Sequence, residues 1–301
     1  MVSGNKMRIL FIVNPVSGFR SGKSLPRKIK TVPDYRKIVY DIAFTSYPGH
    51  GKEIAKNALE KGIYSHIVAV GGDGTVNEVA SALVGSNVAF GILATGSGNG
   101  LARHIGFPLG IKKGLRQILE GRCEKIDVME INGRYSFNVS GLGFDAEVAY
   151  EFGRKKIRGL FVYLLTVLRL WFTYGNKDYR LCVDGKDMEI KAFLLSFANS
   201  SQYGNNAYIA PAASVRDGLM DVCYIERPEF YRIPYYVYCL MRSELGRIPK
   251  FKELKAREVC VNGHSPHMHV DGDYAEAVYP LKAKIIPAAL NMVIPRISER
   301  L

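Results

Sequence analysis

From residue 8 to residue 128, short apolar, β-branched runs alternate with segments whose apolar positions recur at helical spacing. The runs RILFIVN (8–14), IVYDIAFT (38–45), HIVAVGG (66–72) and NVAFGILA (87–94) are continuously apolar, as strands covered on both faces of a parallel sheet are. Between them, Gly51–Gly62, Val76–Gly85 and Gly110–Gly121 predict helices, each closed by glycine. This alternation predicts an open α/β layer with crossover helices, in which ligands bind at the C-terminal ends of the strands. The stretch from Ser24 to Val39 predicts no helix with an apolar face, because Pro26 and Pro33 interrupt it.

After about Asp127 the period shortens to two. YSFNVSGLGF (135–144), YRLCVDGK (179–186), EIKAFLLSFAN (189–199), GLMDVCYIE (218–226), EVCVNG (258–263), HMHVDGD (267–273) and PLKAKIIP (280–287) read as short strands broken by Gly, Asp or Asn turns. One strong helical pattern, 154–174, interrupts them. The second half is therefore expected to be an antiparallel β domain. The boundary falls near 128 without a long flexible linker, and no internal repeat is evident.

Composition narrows the partners. At 301 residues, with 48% apolar and 23% charged residues, the chain is globular and long enough for one large or two ordinary domains. Lys plus Arg number 41 against 28 Asp plus Glu, a net charge of +13, which favours an anionic partner: nucleic acid, nucleotide or acidic lipid surface. Part of that surplus lies in residues 20–37 and in Arg154, Lys155, Lys156 and Arg158. The five cysteines are widely spaced and form no C-x-x-C pair, which argues against a disulfide framework and a zinc knuckle and fits a reducing cytoplasm. Residues 159–174 are apolar but interrupted by Arg169 and shorter than the roughly 20 residues a span requires. A soluble or peripheral protein is expected.

Three glycine-rich loops carry the candidate chemistry. NPVSGFRSGKS (14–24) follows the first strand and looks like a P-loop, but Gly18 is one residue too close to Gly22-Lys23-Ser24. By itself it reads equally as a phosphate contact, through Asn14, Ser17, Gly18, Arg20 and Lys23, or as a surface loop. VAVGGDGTVNEVASAL (68–83) places Gly71, Gly72 and Gly74 around Asp73 where a strand ends and a helix begins. Glycine lets backbone approach a ligand, and a helix N-terminus offers unpaired N–H groups to phosphate. Asp73 has no obvious structural purpose there unless it holds a metal, a ribose hydroxyl or a reacting hydroxyl. ATGSGNGLARHIG (94–106) repeats the arrangement with Thr95, Gly96, Ser97, Gly98, Asn99 and Gly100. Loops at the ends of adjacent strands make one crevice, so the first loop is read as part of a nucleotide site built differently from a P-loop. His264, His267 and His269 cluster ahead of two aspartates; they read as surface or core histidines, with a metal site as the alternative. The apolar spacing of 160–171 reads as core packing, or as a flap resting on an anionic bilayer with FYRIPYYVYCLMR (230–242) as its partner.

Taken together, NPVSG, Thr45, GGDGTVNE, GSGNGLAR, RDGLMD (216–221) and VDGD (270–273) closely resemble the diacylglycerol kinase catalytic-domain family, which includes bacterial lipid kinases and sphingosine kinases and is related in fold to NAD kinases. The resemblance implies a Rossmann-like nucleotide domain over 1–128 and an antiparallel β-sandwich lipid-substrate domain over 129–301, with the last 15 or so residues packing back on the first. It implies ATP and Mg2+ as cofactors and γ-phosphoryl transfer to a lipid primary hydroxyl, with diacylglycerol or a sphingoid base as acceptor. Asn14, Thr45, Gly71, Gly72, Asp73, Gly74, Thr75 and Thr95 match the family's ATP-contacting positions, with Ser17, Gly18, Lys23, Glu78, Gly96, Ser97 and Asn99 beside them. RDGLMD matches a magnesium-binding stretch, here Ser214, Asp217, Leu219 and Asp221. The family's base ends a D-G-E triplet; this chain has Asp271-Gly272-Asp273, so Asp273 is one methylene shorter. Gly100 stands where many bacterial lipid kinases carry Asp, which points toward long-chain bases. The expected catalytic acids are Asp273 and Asp73, with Lys23, Arg20 and Arg103 as counter-charges. The expected partner is a lipid substrate at the inner face of the membrane, with peripheral contact and no nucleic acid; a homodimer stays open. An NAD kinase-like enzyme and a non-catalytic nucleotide or lipid sensor are the rival readings.

Overall fold

The computed structural model of the protein describes residues 7–17, 21–32, 38–154 and 160–296, without side-chain placement for 21–23 and 160–164. The chain divides into two compact units, one of residues 1–127 with 287–301 and the other of residues 128–286.

The first unit runs β1 (Met7–Val13), α1 (Ser21–Ile29), β2 (Ile38–Phe44), α2 (His50–Lys61), β3 (His66–Gly71), α3 (Asp73–Leu83), β4 (Ala89–Ala94), α4 (Gly100–His104) and α5 (Ile111–Glu120). Its strands pair in parallel in the order β2-β1-β3-β4, with Val13 opposite both Phe44 and Val70, and Gly71 opposite Ala94. Ile67, Val68, Ala69 and Val70 are fully buried, as a strand covered on both faces requires. Because β2 and β3 lie on opposite sides of β1, the chain order reverses between β1 and β3. Crevices for ligands open at such reversals. A final strand segment from Pro287 counts with this unit and pairs in parallel with β4, Met292 opposite Phe90.

One expectation fails here. Residues 21–29 do form a helix, and Pro26 sits inside it. Pro26 removes only one intrahelical donor, while Leu25, Ile29 and Val32, at i, i+4 and i+7, are all buried. The apolar stripe outweighs the missing hydrogen bond.

The second unit takes over within β5 (Arg122–Ile131) and continues β6 (Arg134–Ser136), β7 (Val139–Gly143), α6 (Phe144–Gly153), α7 (Leu160–Thr173), β8 (Lys177–Val183), β9 (Lys186–Ala192), β10 (Leu194–Ala198), β11 (Met220–Ile225), α8 (Ile233–Arg242), β12 (Phe251–Ala256), β13 (Glu258–Asn262), β14 (His267–Val270), β15 (Asp273–Glu276) and the first part of β16 (Leu281–Ile294). One sheet is antiparallel in the order β12-β11-β10-β7-β14-β15; a second layer contains β16-β13-β8-β9 and the β5–β6 pair. Their common core includes Met129, Leu142, Tyr179, Leu195, Phe197, Val222 and Val259. The run EIKAFLLSFAN is two strands, because the chain passes at Phe193 from one sheet to the other. Helix α6 is not among the expected elements: only its first residue, Phe144, falls in the expected strand 135–144, although Asp145 and Glu147 in its first turn are helix-start residues. Residues 155–159 of the predicted helix 154–174 lie outside the described residues, and α7 begins at Leu160.

Candidate active site

In the first unit the loops after β1, β2, β3 and β4 emerge together at the C-terminal edge of the sheet. Hydrogen bonds then tie each of the other three to the β3–α3 turn or the start of α3. Asn14 Nδ2 donates to Thr75 Oγ1 at 3.2 Å, and Ser17 Oγ lies 3.1 Å from Thr95 Oγ1. Asn14 Oδ1 accepts from Val16 N–H at 3.1 Å, so the same side chain shapes its own turn. Glu78 receives the N–H groups of Gly49 and Gly51 at 2.7 and 3.0 Å and so pins the start of α2. Thr45 joins through its N–H to the Val13 carbonyl at 2.9 Å.

Asp73 answers the question its sequence raised. Its two oxygens accept the N–H groups of Asn99 and Gly100, each at 2.8 Å, holding the third glycine loop at the start of α4. Asp73 thus has a structural purpose that its position in a glycine turn concealed. Charge-assisted bonds of this kind contribute roughly 1.5–3 kcal/mol each. Asn99 adopts a left-handed conformation there and donates from Nδ2 to the Gly96 carbonyl at 2.6 Å. Gly72 and Gly96 lie back to back: a Cβ on Gly96 would come within 2.6 Å of the Gly72 Cα. A glycine at 96 is what allows the two loops to touch. At the head of α3 the first N–H groups precede the first helical bond, from Val76 N–H to the Gly72 carbonyl at 3.0 Å. Ser97 stays exposed, and Arg103 spends its Nε on the Gly98 carbonyl at 3.0 Å. Gly18 and Arg20 lie outside the described residues; Lys23 lies in α1, its side chain undescribed.

The second unit carries the other predicted residues. β14 and β15 form a hairpin in which Val270 faces Asp273. Its two turn residues, Asp271 and Gly272, have φ of 52° and 91°, the left-handed pair that a two-residue hairpin of primed type demands. Asp271 anchors the turn: its carboxylate accepts Ser136 Oγ–H at 2.6 Å and the N–H groups of Phe137 and Asn138 at 3.0 and 2.9 Å. His269, 2% exposed, accepts the Gly272 N–H on Nδ1 at 3.3 Å. Its proton is therefore on Nε2, which donates to Asp145 Oδ2 at 2.9 Å. Tyr203 donates to the same oxygen at 3.0 Å, and Ser196 Oγ lies 2.6 Å from the Tyr203 hydroxyl. Burial, and then the Asp145 charge, push that hydroxyl well above its ordinary pKa, so it remains a donor. Asp273 leads β15, exposed, at the end of this chain of supports. Asp145, Tyr203 and Ser196 were missed in the sequence; the acidic first turn of α6 was the available signal. Among the described residues no group of three or more His, Cys, Asp or Glu side chains is placed to hold a metal, so the histidine-metal alternative finds no support.

The expected magnesium residues also lie in this unit. Asp221 on β11 is 1% exposed, and neither carboxylate oxygen has a hydrogen-bond partner. Burial raises its pKa to about 6, against the pull of Lys255. Lys255 Nζ, from the neighbouring strand β12, lies 3.6 Å from Asp221 and 2.6 Å from Asp217, whose other oxygen accepts the Leu219 N–H at 3.1 Å. Buried carboxylate oxygens without a hydrogen bond, near a second carboxylate, are donors of the kind a hard cation such as Mg2+ takes. Lys255, absent from the sequence reading, supplies the positive charge there.

Residues 8–131 match the family profile of the diacylglycerol kinase catalytic domain, and residues 138–294 that of the YegS C-terminal NAD kinase beta sandwich-like domain. A Bacillus subtilis diacylglycerol kinase is 27% identical over 277 residues, 89% of this chain and 90% of its own. A Chromohalobacter salexigens protein named "Probable lipid kinase YegS-like" is 32% identical over 213 residues, 67% of this chain and 68% of its own. The crystal structure of a diacylglycerol kinase from Bacillus anthracis shares the fold, with a TM-score of 0.73 at 18% identity over 96% of this chain and 97% of that one. The chain belongs to the diacylglycerol kinase catalytic-domain family of lipid kinases.

Proposed function

We propose that the protein transfers the γ-phosphoryl group of ATP to the primary hydroxyl of a membrane-derived lipid: diacylglycerol, a sphingoid base or a related alcohol. The observation that carries this is the knot of loops at the switch point of the first unit, where glycine backbone and the α3 N-terminus offer donors to phosphate oxygens. The acceptor oxygen attacks the γ-phosphorus, the bond to the β–γ bridging oxygen breaks, and ADP leaves. Asp273 takes the proton of the attacking hydroxyl. Such transfers rest on positioning and charge neutralisation rather than on covalent chemistry by the protein. In this reading Asp73 acts by holding the third loop against the second. The Asp217 and Asp221 carboxylates, with the Ser214 and Leu219 carbonyls, would hold Mg2+. The ion would share with Lys255 the neutralisation of the Asp221 charge and brace the 214–221 turn. Peripheral contact with the inner face of the membrane is part of the proposal.

The test is incubation of the full chain with γ-labelled ATP, Mg2+ and separate lipid or NAD acceptors. Label is expected in lipid and not in NAD. Label in NAD would establish the NAD kinase alternative, and tight ATP binding without turnover on any acceptor would establish a sensor. Asp273→Asn is expected to lower kcat by about a hundredfold or more, the scale of a lost general base, with the melting temperature unchanged; full activity in that variant would remove the base assignment.

A further inference from the structure

Seventeen large hydrophobic side chains are exposed among the described residues, and nine of them fall within 165–172 and 230–241. That clustering defines one surface of the second unit. Helix α7 turns Trp171 and Thr166 inward and leaves Leu165, Leu168 and Phe172 outside, Phe172 at 62% exposure. Helix α8 buries Tyr236 and Cys239 and exposes Tyr235, Tyr238 and Met241; the turn before it exposes Tyr231 at 74%. The rings of Phe172 and Phe230 meet with centroids 5.5 Å apart, which joins the end of α7 to the turn that leads into α8. Contiguous apolar surface of this kind marks an interaction site.

The charges around it choose the occupant. Arg169, Arg232 and Arg242 are exposed within the patch, and residues 160–175 and 230–243 contain no acid. The two flanking carboxylates, Glu229 and Glu244, are already engaged, Glu229 3.6 Å from Arg232 and Glu244 2.9 Å from Arg247. A second copy of the chain seated on this face about a two-fold axis would set arginine against arginine with no acid within the patch to answer them. A bilayer with anionic headgroups answers both features. Tyrosine places its ring at the headgroup level with the hydroxyl in water, leucine, methionine and phenylalanine enter the acyl boundary, and arginine pairs with phosphate. No helix among the described residues is long and apolar enough to cross a membrane.

We propose that the α7–α8 face is a membrane-docking surface that lies on anionic lipid headgroups. It rests on the lipid-kinase reading only for the biological purpose of docking; the binding itself is measured without ATP or acceptor. The full chain should sediment with vesicles of phosphatidylcholine mixed with phosphatidylglycerol, and much less with phosphatidylcholine alone. Raised salt should weaken the binding. Phe172→Ser combined with Tyr231→Ser and Tyr238→Ser should lower vesicle affinity at least tenfold with an unchanged melting temperature, and Arg169→Glu with Arg242→Glu should abolish the preference for the mixed vesicles. Activity on a short-chain, water-soluble acceptor should be the same in all of them. Unchanged vesicle binding in the triple variant overturns the proposal, as does a parent dimer in solution that the triple variant converts to monomer. Vesicle binding with no phosphorylated lipid leaves docking standing and refutes the kinase reading, whereas lipid phosphorylation with no vesicle binding does the reverse.

Discussion

Asp73 in the first unit and His269 in the second each work by holding backbone in place. Asp73 looks in sequence like a reacting acid, yet both its oxygens hold N–H groups of the neighbouring loop. Asp73→Ala strands those two donors. Loss of nucleotide affinity by at least tenfold is expected, together with a melting temperature lower by several degrees, both readable in a thermal-shift titration with ATP. His269 acts on the D-G-D hairpin by accepting the Gly272 N–H while Asp145 fixes its tautomer. His269→Ala frees that turn, so kcat should fall tenfold or more while the KM for ATP stays constant. A fall in ATP affinity without a change in kcat would show that His269 does not position Asp273. Gly72 and Gly96 announced themselves as glycine-rich loops; that they touch each other was invisible, because the contact joins residues 24 positions apart.

At the level of elements, α3 organises the first unit. Its first turn and a half supplies Asp73, Thr75 and Glu78, which hold the loops after β4, β1 and β2 respectively. Those loops were legible from strand–glycine–helix patterns, because local spacing encodes them. Helix α1 was not, since a proline rule competed with an apolar stripe and tertiary burial decided the outcome. The β11–β12 pair raises a different expectation. Asp221 lies opposite Lys255 in register, and the Lys255 ammonium stands 2.6 Å from Asp217. Lys255→Met should make the protein answer Mg2+ with a larger rise in melting temperature than the parent, by several degrees, and EDTA should reverse it. An equal response in both would show that Lys255 does not compete for the cation.

On the scale of the whole chain, the first unit is closed by residues from the far end of the sequence. Leu290, Met292, Val293 and Ile294 are buried there, Gly85 N–H donates to the Ala289 carbonyl at 2.8 Å, and Asp127 accepts the Ala288 N–H at 2.8 Å. Four such side chains at about 2 kcal/mol each amount to about 8 kcal/mol, comparable with the whole stability of an ordinary domain. A fragment ending at Asp127 should therefore be unfolded or aggregated by circular dichroism and light scattering. A cooperative melt of that fragment equal to the parent's would show that the C-terminal segment is dispensable.

The sequence by itself determined the class of the two halves, the positions of β1–β4 and the three glycine loops, because strand and helix periods and turn chemistry act over a few residues. It also carried the family motifs. Tertiary structure alone decided that Asp73 and Glu78 are clamps, that His269 rests on Asp145, that Lys255 stands among the proposed magnesium ligands and that an aromatic face of α7 and α8 stays uncovered. Each of these depends on groups far apart in the chain meeting, or failing to meet, after the backbone has folded, and no local pattern records that distance.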